Sequence, residues 1–387
     1  MLNAPRSAHK ADLDLSPLHD HLTAPRGRGR LADAPHAGTA GGAPCGDLVR
    51  ISVRLEGDRV AEAGFDAGGC AAARAAGSAV VELVRGAPLL EAARVSPEGI
   101  ADALGGLSPE RAHAAELAAD ALHRALGAAC SDGVPSLRPS GRRTLVAMSG
   151  GVDSAVAARL ALDSGDEVVA VTLELWADAA GDGTKSCCSP QAVTGARALA
   201  HRMGLPHITL DVRDRFRSEV VDDFVSEHAA GRTPNPCVRC NGLVRFDVML
   251  ALAERFGAAR LATGHYARIE RDAEGPLLRA AVDDHKDQTY MLARLTPRDL
   301  ARGAGLPVAE KPESQDLCFL AGTDGEQFLR RHGGHALPLA GGGELVDRDG
   351  RVLGRHGGQH LFTVGQRRGI GVAGPEPLYV REKDPRS

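Results

Sequence analysis

From Thr144 to His265 the sequence alternates strand-like apolar runs with helix-like ones, and this alternation constrains the fold more than any other feature. TLVAM (144–148) precedes the loop SGGVDS and a helix AVAARLALDSG. DEVVAVTLEL (166–175) is followed, after a polar loop, by QAVTGARALAHRMG, and HITLDV (207–212) by FRSEVVDDFVSEHAAG. LVRFDVMLALAERFG (243–257) then leads into RLATGH (260–265). Strands alternating with helices at this spacing predict an α/β fold built on a doubly wound parallel sheet.

A chain of 387 residues is long enough for two or three domains, each with its own core. Its 43% hydrophobic and 25% charged content is that of a globular protein. Aromatics at 3% exclude a platform for stacking single-stranded nucleic acid, and a net charge of −4 excludes bulk electrostatic attraction to it. No apolar run reaches the roughly 18 residues of a membrane span, and the N-terminus lacks a secretory core. A cytoplasmic location without a membrane partner is expected, so the eight cysteines are read as reduced thiols for metal or sulfur chemistry.

Residues 1–37 have no periodicity and are expected to be disordered. Residues 38–131 form an α+β domain, with apolar–polar alternation on both sides of Gly57-Asp58 marking a hairpin. Residues 132–142 read as a linker, 143–295 as the α/β domain and 296–387 as a small adaptor.

Ala147 and Met148 lead from the first α/β strand into Ser149-Gly150-Gly151-Val152-Asp153-Ser154. Glycines let the backbone approach an anion, and the first helical N–H groups stabilise its charge. The Ser149 and Ser154 hydroxyls can add hydrogen bonds, and Asp153 can help hold Mg²⁺. The competing reading is an ordinary Gly-rich turn with a Ser cap. The hexapeptide resembles the loop of the pyrophosphatase-loop (PP-loop) family, which implies ATP cleaved between the α and β phosphates and AMP placed on an oxygen atom.

GRTPNPCVRCN (231–241) is read as a loop whose two prolines exclude helix. Cys237 and Cys240 could form half of a structural zinc site, for which no second pair lies nearby. Taken in order with ATGHYAR (262–268), HKDQTYML (285–292), KPESQDLCF (311–319) and FTVGQRRGIGV (362–372), however, the segment resembles the tRNA-specific 2-thiouridylase family over residues 143–382. The resemblance implies a tRNA-uridine 2-sulfurtransferase that adenylates the C2 oxygen of the wobble uridine and delivers sulfur from a cysteine persulfide. Cys318 matches the persulfide carrier and Cys240 the cysteine that attacks it. Leu173 and Gly264 match ATP-pocket positions, with the 147–154 segment. Asn235, Pro236, Cys237, Lys286, Asp287, Gln288, Gln366 and Arg367 match tRNA-binding positions. The implied cofactors are ATP and Mg²⁺, and the implied partners are tRNA and a cysteine desulfurase or sulfur-relay protein. In an alternative assignment Cys237, Cys240 and Cys318 hold a [4Fe-4S] cluster. The family's C-terminal β-barrel is expected to be absent.

Residues 38–130 resemble the NifU/IscU-like iron–sulfur scaffold family. Cys45, Asp47, Cys70 and His113 match its metal ligands, while Ala114 stands at the third cysteine position. Cys130 could substitute only if the chain folds back. A tethered sulfur or cluster donor and a docking module with a solvated His113 are both open. For the whole chain, a non-catalytic iron–sulfur carrier and another PP-loop adenylating ligase stand as the alternatives. The charge divides into 14 basic and 17 acidic residues over 1–140, and 32 and 33 over 141–387, so Arg348–Arg368 can form a basic patch within a nearly neutral portion.

Overall fold

The computed structural model describes residues 16–31, 34, 36–42, 46–176, 190–273, 275–296, 303–305, 319–320, 324–333, 342–374 and 376–384. The chain divides into two compact units. The first comprises 1–172, 194–211 and 252–262; the second comprises 173–193, 212–251 and 263–387.

In the first unit, β1 (His36–Gly41), β2 (Leu48–Glu56) and β3 (Arg59–Gly68) form an antiparallel sheet in that order. Glu56 pairs with Arg59, which puts the hairpin turn at Gly57-Asp58 as the alternation predicts. Val49, Ile51 and Val53 of β2 are fully buried. Helices α2 (Ala71–Val84), α3 (Leu89–Ala92), α4 (Pro97–Ala103) and α5 (Ala112–Ser131) complete this α+β part. The buried stripe of α5 is mostly alanine (Ala114, Ala118, Ala121, Ala125), so its backbone sits close to the sheet.

Disorder over residues 1–37 is not what the structure shows for the part it describes. Ser16–Thr23 forms a helix, α1, with Leu18 and His21 buried, and the His21 Nδ1 lies 2.9 Å from the Ser78 hydroxyl of α2. Two buried side chains on a polar helix are too few to produce a periodic signal. Residues 1–15 lie outside the described residues.

The same unit carries β4 (Ser140–Ala147), α6 (Val152–Asp163), β5 (Glu167–Glu174), α7 (Pro190–Arg202), β6 (His207–Asp211) and β7 (Ala258–Thr263), with a few residues of β5, α7 and β7 assigned to the second unit. The order is β7-β4-β5-β6, with β4 parallel to both β5 and β7. Val168–Leu173 is buried without interruption, as expected of a parallel strand covered on both faces. β4 begins at Ser140, inside the stretch expected to be linker. Arg143 anchors that start: its guanidinium donates to the carbonyls of Arg138 and Phe256 and to Glu167.

In the second unit a helical run passes from α8 (Arg213–Phe216) through a π turn (Arg217–Val221) into α9 (Asp222–Ala229). A second runs from α10 (Pro236–Cys240) through a π turn (Asn241–Arg245) into α11 (Phe246–Arg255). β8 (Arg268–Asp272) and β9 (Gly275–Arg279) form a hairpin, followed by β10 (Gly303–Gly305), α12 (Gly325–His332) and the hairpin of β11 (Gly343–Val346) and β12 (Val352–His356). Trp176, Phe216, Phe224, Phe319 and Phe328 pack as an aromatic core, with ring centroids 4.9 Å apart for Phe319 and Phe328.

Candidate active site and metal site

The phosphate-loop hexapeptide sits between β4 and α6, as the strand–loop–helix reading requires. Gly150 takes φ +79°, and Gly151 caps α6 without a side-chain bond, so the first N–H groups of the helix point towards the loop. Gly150, Gly151 and Val152 are exposed at this end, above an open groove reaching Arg159, Leu199 and Met203. Ser154 departs from its expected part. Its hydroxyl is buried, donates to the Gly151 carbonyl at 2.9 Å and accepts from the Ser149 N–H at 3.2 Å. It closes the loop on itself instead of facing solvent, and Ser149 Oγ lies 3.4 Å away.

Ala147 and Met148 lie at the root of this loop, and Asp153 stands in the first turn of α6. Leu173 is buried on β5 in the second unit, where Gly264 also lies.

The cysteine pair is on a helix, not in a loop. Pro236 occupies the first helical turn, where its missing N–H costs nothing. Asn235 caps the helix, its Oδ1 accepting from Val238 N at 3.2 Å. Cys237 and Cys240 therefore stand three residues apart on one face, Cys237 half-buried and Cys240 buried. Asn241 donates back to the Cys237 carbonyl at 3.0 Å. Arg239 ties this helix to the first π turn: it donates to the Glu219 carbonyl and reaches Asp223 at 3.3 Å. Cys318, Cys187 and Cys188 lie outside the described residues.

Two motifs that are separate in sequence meet in the second unit. Gln288 accepts from Tyr266 N at 3.0 Å and donates its own N–H to the Tyr266 carbonyl at 2.9 Å. Lys286 lies over the Tyr266 ring at 5.4 Å, a cation–π contact. Asp287 is turned inward: its carboxylate accepts from Thr289 and from Ala281 N, bonds that hold its pKa below the usual range. The turn after it, Thr289–Leu292, packs on α10 and the π turn that follows the cysteines. His265 stacks on Phe246 at 5.6 Å, and burial pushes its pKa down to about 4. His265, Tyr266 and Arg239 are not among the expected site residues, although all three lie inside motifs that the sequence singles out.

At Gln366 the side chain is consumed by its own turn, accepting from Thr363 N at 2.8 Å and donating to the Arg368 carbonyl at 2.9 Å. Arg367 and Arg368 are left exposed, as are Arg348, Arg351 and Arg355 of the expected basic patch.

In the scaffold-like part, Asp47, Cys70 and His113 each offer one donor atom, all within 4.8 Å of one another. Among the described residues this is the one group of three or more metal-ligating side chains so arranged. Cys70 is the N-cap of α2, and its N–H donates to Asp47 Oδ1 at 2.7 Å. Hydrogen bonds from Cys70 and His113 hold the Asp47 carboxyl low, while burial and the neighbouring Asp47 push the Cys70 thiol up. His113 places Nε2 2.9 Å from Asp47 and Nδ1 2.9 Å from the Glu110 carbonyl. A carbonyl only accepts, so Nδ1 carries a proton, and Nε2, which faces the Asp47 carboxylate, is the nitrogen a metal would engage in place of that contact. His113 is thus half-buried and paired with both Asp47 and Glu110. Ala114 is buried, and Cys45 lies outside the described residues. Cys130 is no substitute. It sits on the same unbroken helix, 17 residues and about 26 Å beyond His113 at 1.5 Å per residue, and burial pushes its thiol up to about 12.

The family model for the tRNA methyl transferase HUP domain matches residues 142–303, and that for the NifU-like N terminal domain matches 16–129. A relative from Rubrobacter xylanophilus, "Bifunctional protein NifU/MnmA", is 46% identical over 95% of this chain and 79% of its own length. The chain belongs to this NifU/MnmA family. Relatives named "tRNA-specific 2-thiouridylase MnmA" are 43% identical in Geotalea uraniireducens and 44% in Acidithiobacillus ferrooxidans. These matches cover 62% and 63% of this chain, and 69% and 72% of the relatives. The family model for the tRNA methyl transferase PRC-barrel domain matches 326–387, a stretch that the sequence reading took for an adaptor without a barrel. The NifU-like match begins at residue 16 and so takes in α1. No helix among the described residues is long and apolar enough to cross a membrane.

Proposed function

We propose that the chain forms 2-thiouridine in tRNA, using ATP to activate the base and a cysteine persulfide to supply sulfur. The observation that carries this reading is 46% identity along 95% of the chain to the relative named "Bifunctional protein NifU/MnmA", beside relatives named "tRNA-specific 2-thiouridylase MnmA". The phosphate loop and the cysteine helix supply the chemistry it needs.

The uridine C2 oxygen attacks the α-phosphorus of ATP and pyrophosphate leaves, its charge met by the N–H groups at the start of α6. Asp153, in the first turn of α6, would help hold Mg²⁺. The terminal sulfur of a persulfide on Cys318 then attacks C2, and AMP carries away the oxygen. The Cys240 thiolate attacks Sγ of Cys318, so the S–S bond to the transferred sulfur breaks, a Cys240–Cys318 disulfide forms, and an external thiol reduces it. A cysteine desulfurase, or a relay protein it loads, restores the persulfide. Asn235, Pro236 and Cys237 border the base, with Lys286, Gln288 and Arg367 toward the tRNA backbone.

In the scaffold-like part the donor set fits a thiophilic divalent metal or an iron–sulfur cargo: one thiol, one carboxylate and an imidazole whose tautomer is fixed by Glu110. Asp47, Cys70 and His113 would hold it, with Cys45 the fourth ligand.

The test incubates the full chain with unmodified tRNA, ATP, Mg²⁺ and a cysteine desulfurase, and analyses nucleosides for 2-thiouridine. Cys318→Ala is expected to abolish thiolation while pyrophosphate release continues; normal thiolation by that variant rejects the persulfide route. A second reading, favoured by the shared face of Cys237 and Cys240, gives these two and Cys318 to a [4Fe-4S] cluster. Anaerobic reconstitution in a Cys70→Ala background, which removes the scaffold ligand, should then bind iron in proportion to Cys237.

A further inference from the structure

Between the scaffold helix α5 and the edge strand β6 lies a group of three imidazoles, those of His123 and His207 buried and that of His201 half-buried. His123 of α5 and His201 of α7 have ring centroids 5.1 Å apart, and each lies 6.4 Å from His207 of β6. Their hydrogen bonds fix their tautomers. His123 Nε2 donates to the Val95 carbonyl at 3.0 Å and His201 Nε2 to the Ala93 carbonyl at 3.2 Å. The Thr172 hydroxyl donates to the Met148 carbonyl at 2.7 Å, so its oxygen is left to accept from His207 Nε2 at 2.8 Å. The three Nδ1 atoms have no partner among the described residues. Burial, and then the nearby Arg197, hold all three rings neutral. Arg197 is buried and paired with Asp120 of α5 at 2.8 Å, Arg124 shares that carboxylate, and Glu98 of α4 lies on the His201 side. The ligand atoms do not converge as those of Asp47, Cys70 and His113 do, so this is no second metal site.

The group points to the phosphate loop. Met148 immediately precedes Ser149, and both its backbone polar groups are held by β5: its carbonyl by the Thr172 hydroxyl and its N–H by the Val171 carbonyl at 2.8 Å. Thr172 is oriented by His207, and His207 by the scaffold-like part, whose Ala93 carbonyl accepts the His207 N–H at 3.0 Å. α5 comes close enough to β6 that a Cβ on Gly127 would stand 2.0 Å from the Thr209 carbonyl. The scaffold-like part thus covers a sheet edge that would otherwise be open.

We propose that Thr172 and His207 are positioning residues for the phosphate loop, and that α5 keeps them in place through His123. The proposal rests on the ATP reading of that loop. A loop that binds phosphate through backbone N–H groups must be set before the ligand arrives, and the carbonyl of Met148 is the last fixed point before it.

ATP is titrated calorimetrically into the full chain and its variants. Absence of binding to the unaltered chain would reject the ATP reading itself, separately from this proposal. Thr172→Val removes the hydroxyl with little change of shape and is expected to raise the ATP dissociation constant about tenfold, the effect of losing one buried hydrogen bond. Thr172→Ser should restore it to within about twofold, and the tRNA dissociation constant should not move. His207→Leu gives the same loss by a second route if Thr172→Val does not fold. His123→Phe, which keeps ring volume, should weaken ATP binding in the same direction and add nothing to Thr172→Val. ATP binding unchanged in folded Thr172→Val or His207→Leu overturns the proposal, as does failure of Thr172→Ser to recover it. Unchanged binding in His123→Phe, or full additivity with Thr172→Val, removes α5 from it.

Discussion

A Cβ on Gly69 would stand 2.0 Å from Oδ1 of Asp47. Gly69 also holds φ +99°, a conformation side chains rarely adopt. The absence of a side chain at this one position lets the carboxylate lie against the start of α2, where it accepts from Cys70 N and meets His113. The arrangement of Asp47, Cys70 and His113 thus depends on a residue that is not one of the three.

Gly69→Ala should therefore displace Asp47 and weaken zinc binding by about tenfold or more, the usual effect of disturbing a ligand's support. Zinc titration against a chromogenic chelator checks this. Retained affinity would mean that Asp47 is not a ligand.

Replacing Asn235 with Ala removes the cap of α10, worth about 1 kcal/mol, and frees the turn that carries Cys237 and Cys240. Thiolation should fall further than pyrophosphate release does, and Asn235→Ser should recover most of the loss. Equal decline of both steps would show that the cap serves something other than the cysteines.

Acid should destabilise the second unit along a defined course. His228 and His265 are held neutral, chiefly by burial, with pKa values of about 4. In the unfolded chain each takes up a proton below about pH 6.5. The unfolded state then binds more protons, so stability falls as pH drops from about 6.5 to about 4 and the loss stops below that, at up to about 1.4 kcal/mol per pH unit for each group. Urea transitions followed by the fluorescence of Trp176, the single tryptophan, measure it. His265→Gln should flatten the slope, and an unchanged slope would contradict the assignment.

Thiol reactivity should separate the cysteines. Cys130 is fully buried with its thiol pushed up to about 12, and should resist iodoacetamide at neutral pH until the chain unfolds. Half-buried Cys237 should react first of the two. Peptide mass mapping over a time course checks the order, and early labelling of Cys130 would contradict its place in α5.

Much of the α/β part was legible because strands such as β5 are buried on both faces and read as continuous apolar runs. The hairpin at Gly57-Asp58 was legible through alternation, and the phosphate loop through its place between strand and helix. The helix at Cys237 was hidden by Pro236, which breaks helices inside but begins them readily, so the same residue supports opposite readings. Ser154 looked like a ligand-facing hydroxyl because its inward bond to Gly151 depends on the turn geometry. His123, His201 and His207 carry no signal: the first lies far in sequence from the other two, and each looks solvated until the fold packs the three rings together.

The unbroken course of α5, with His113 near one end and His123 and Gly127 toward the other, changes what fusing the two modules achieves. A flexible leash would raise local concentration and leave orientation to chance. A shared strut sets a standing distance of about 15 Å along the helix between His113 and the histidine group. Lengthening the connection near Gly133 should then matter little, whereas inserting a single residue into α5 would turn one module by about 100° against the other.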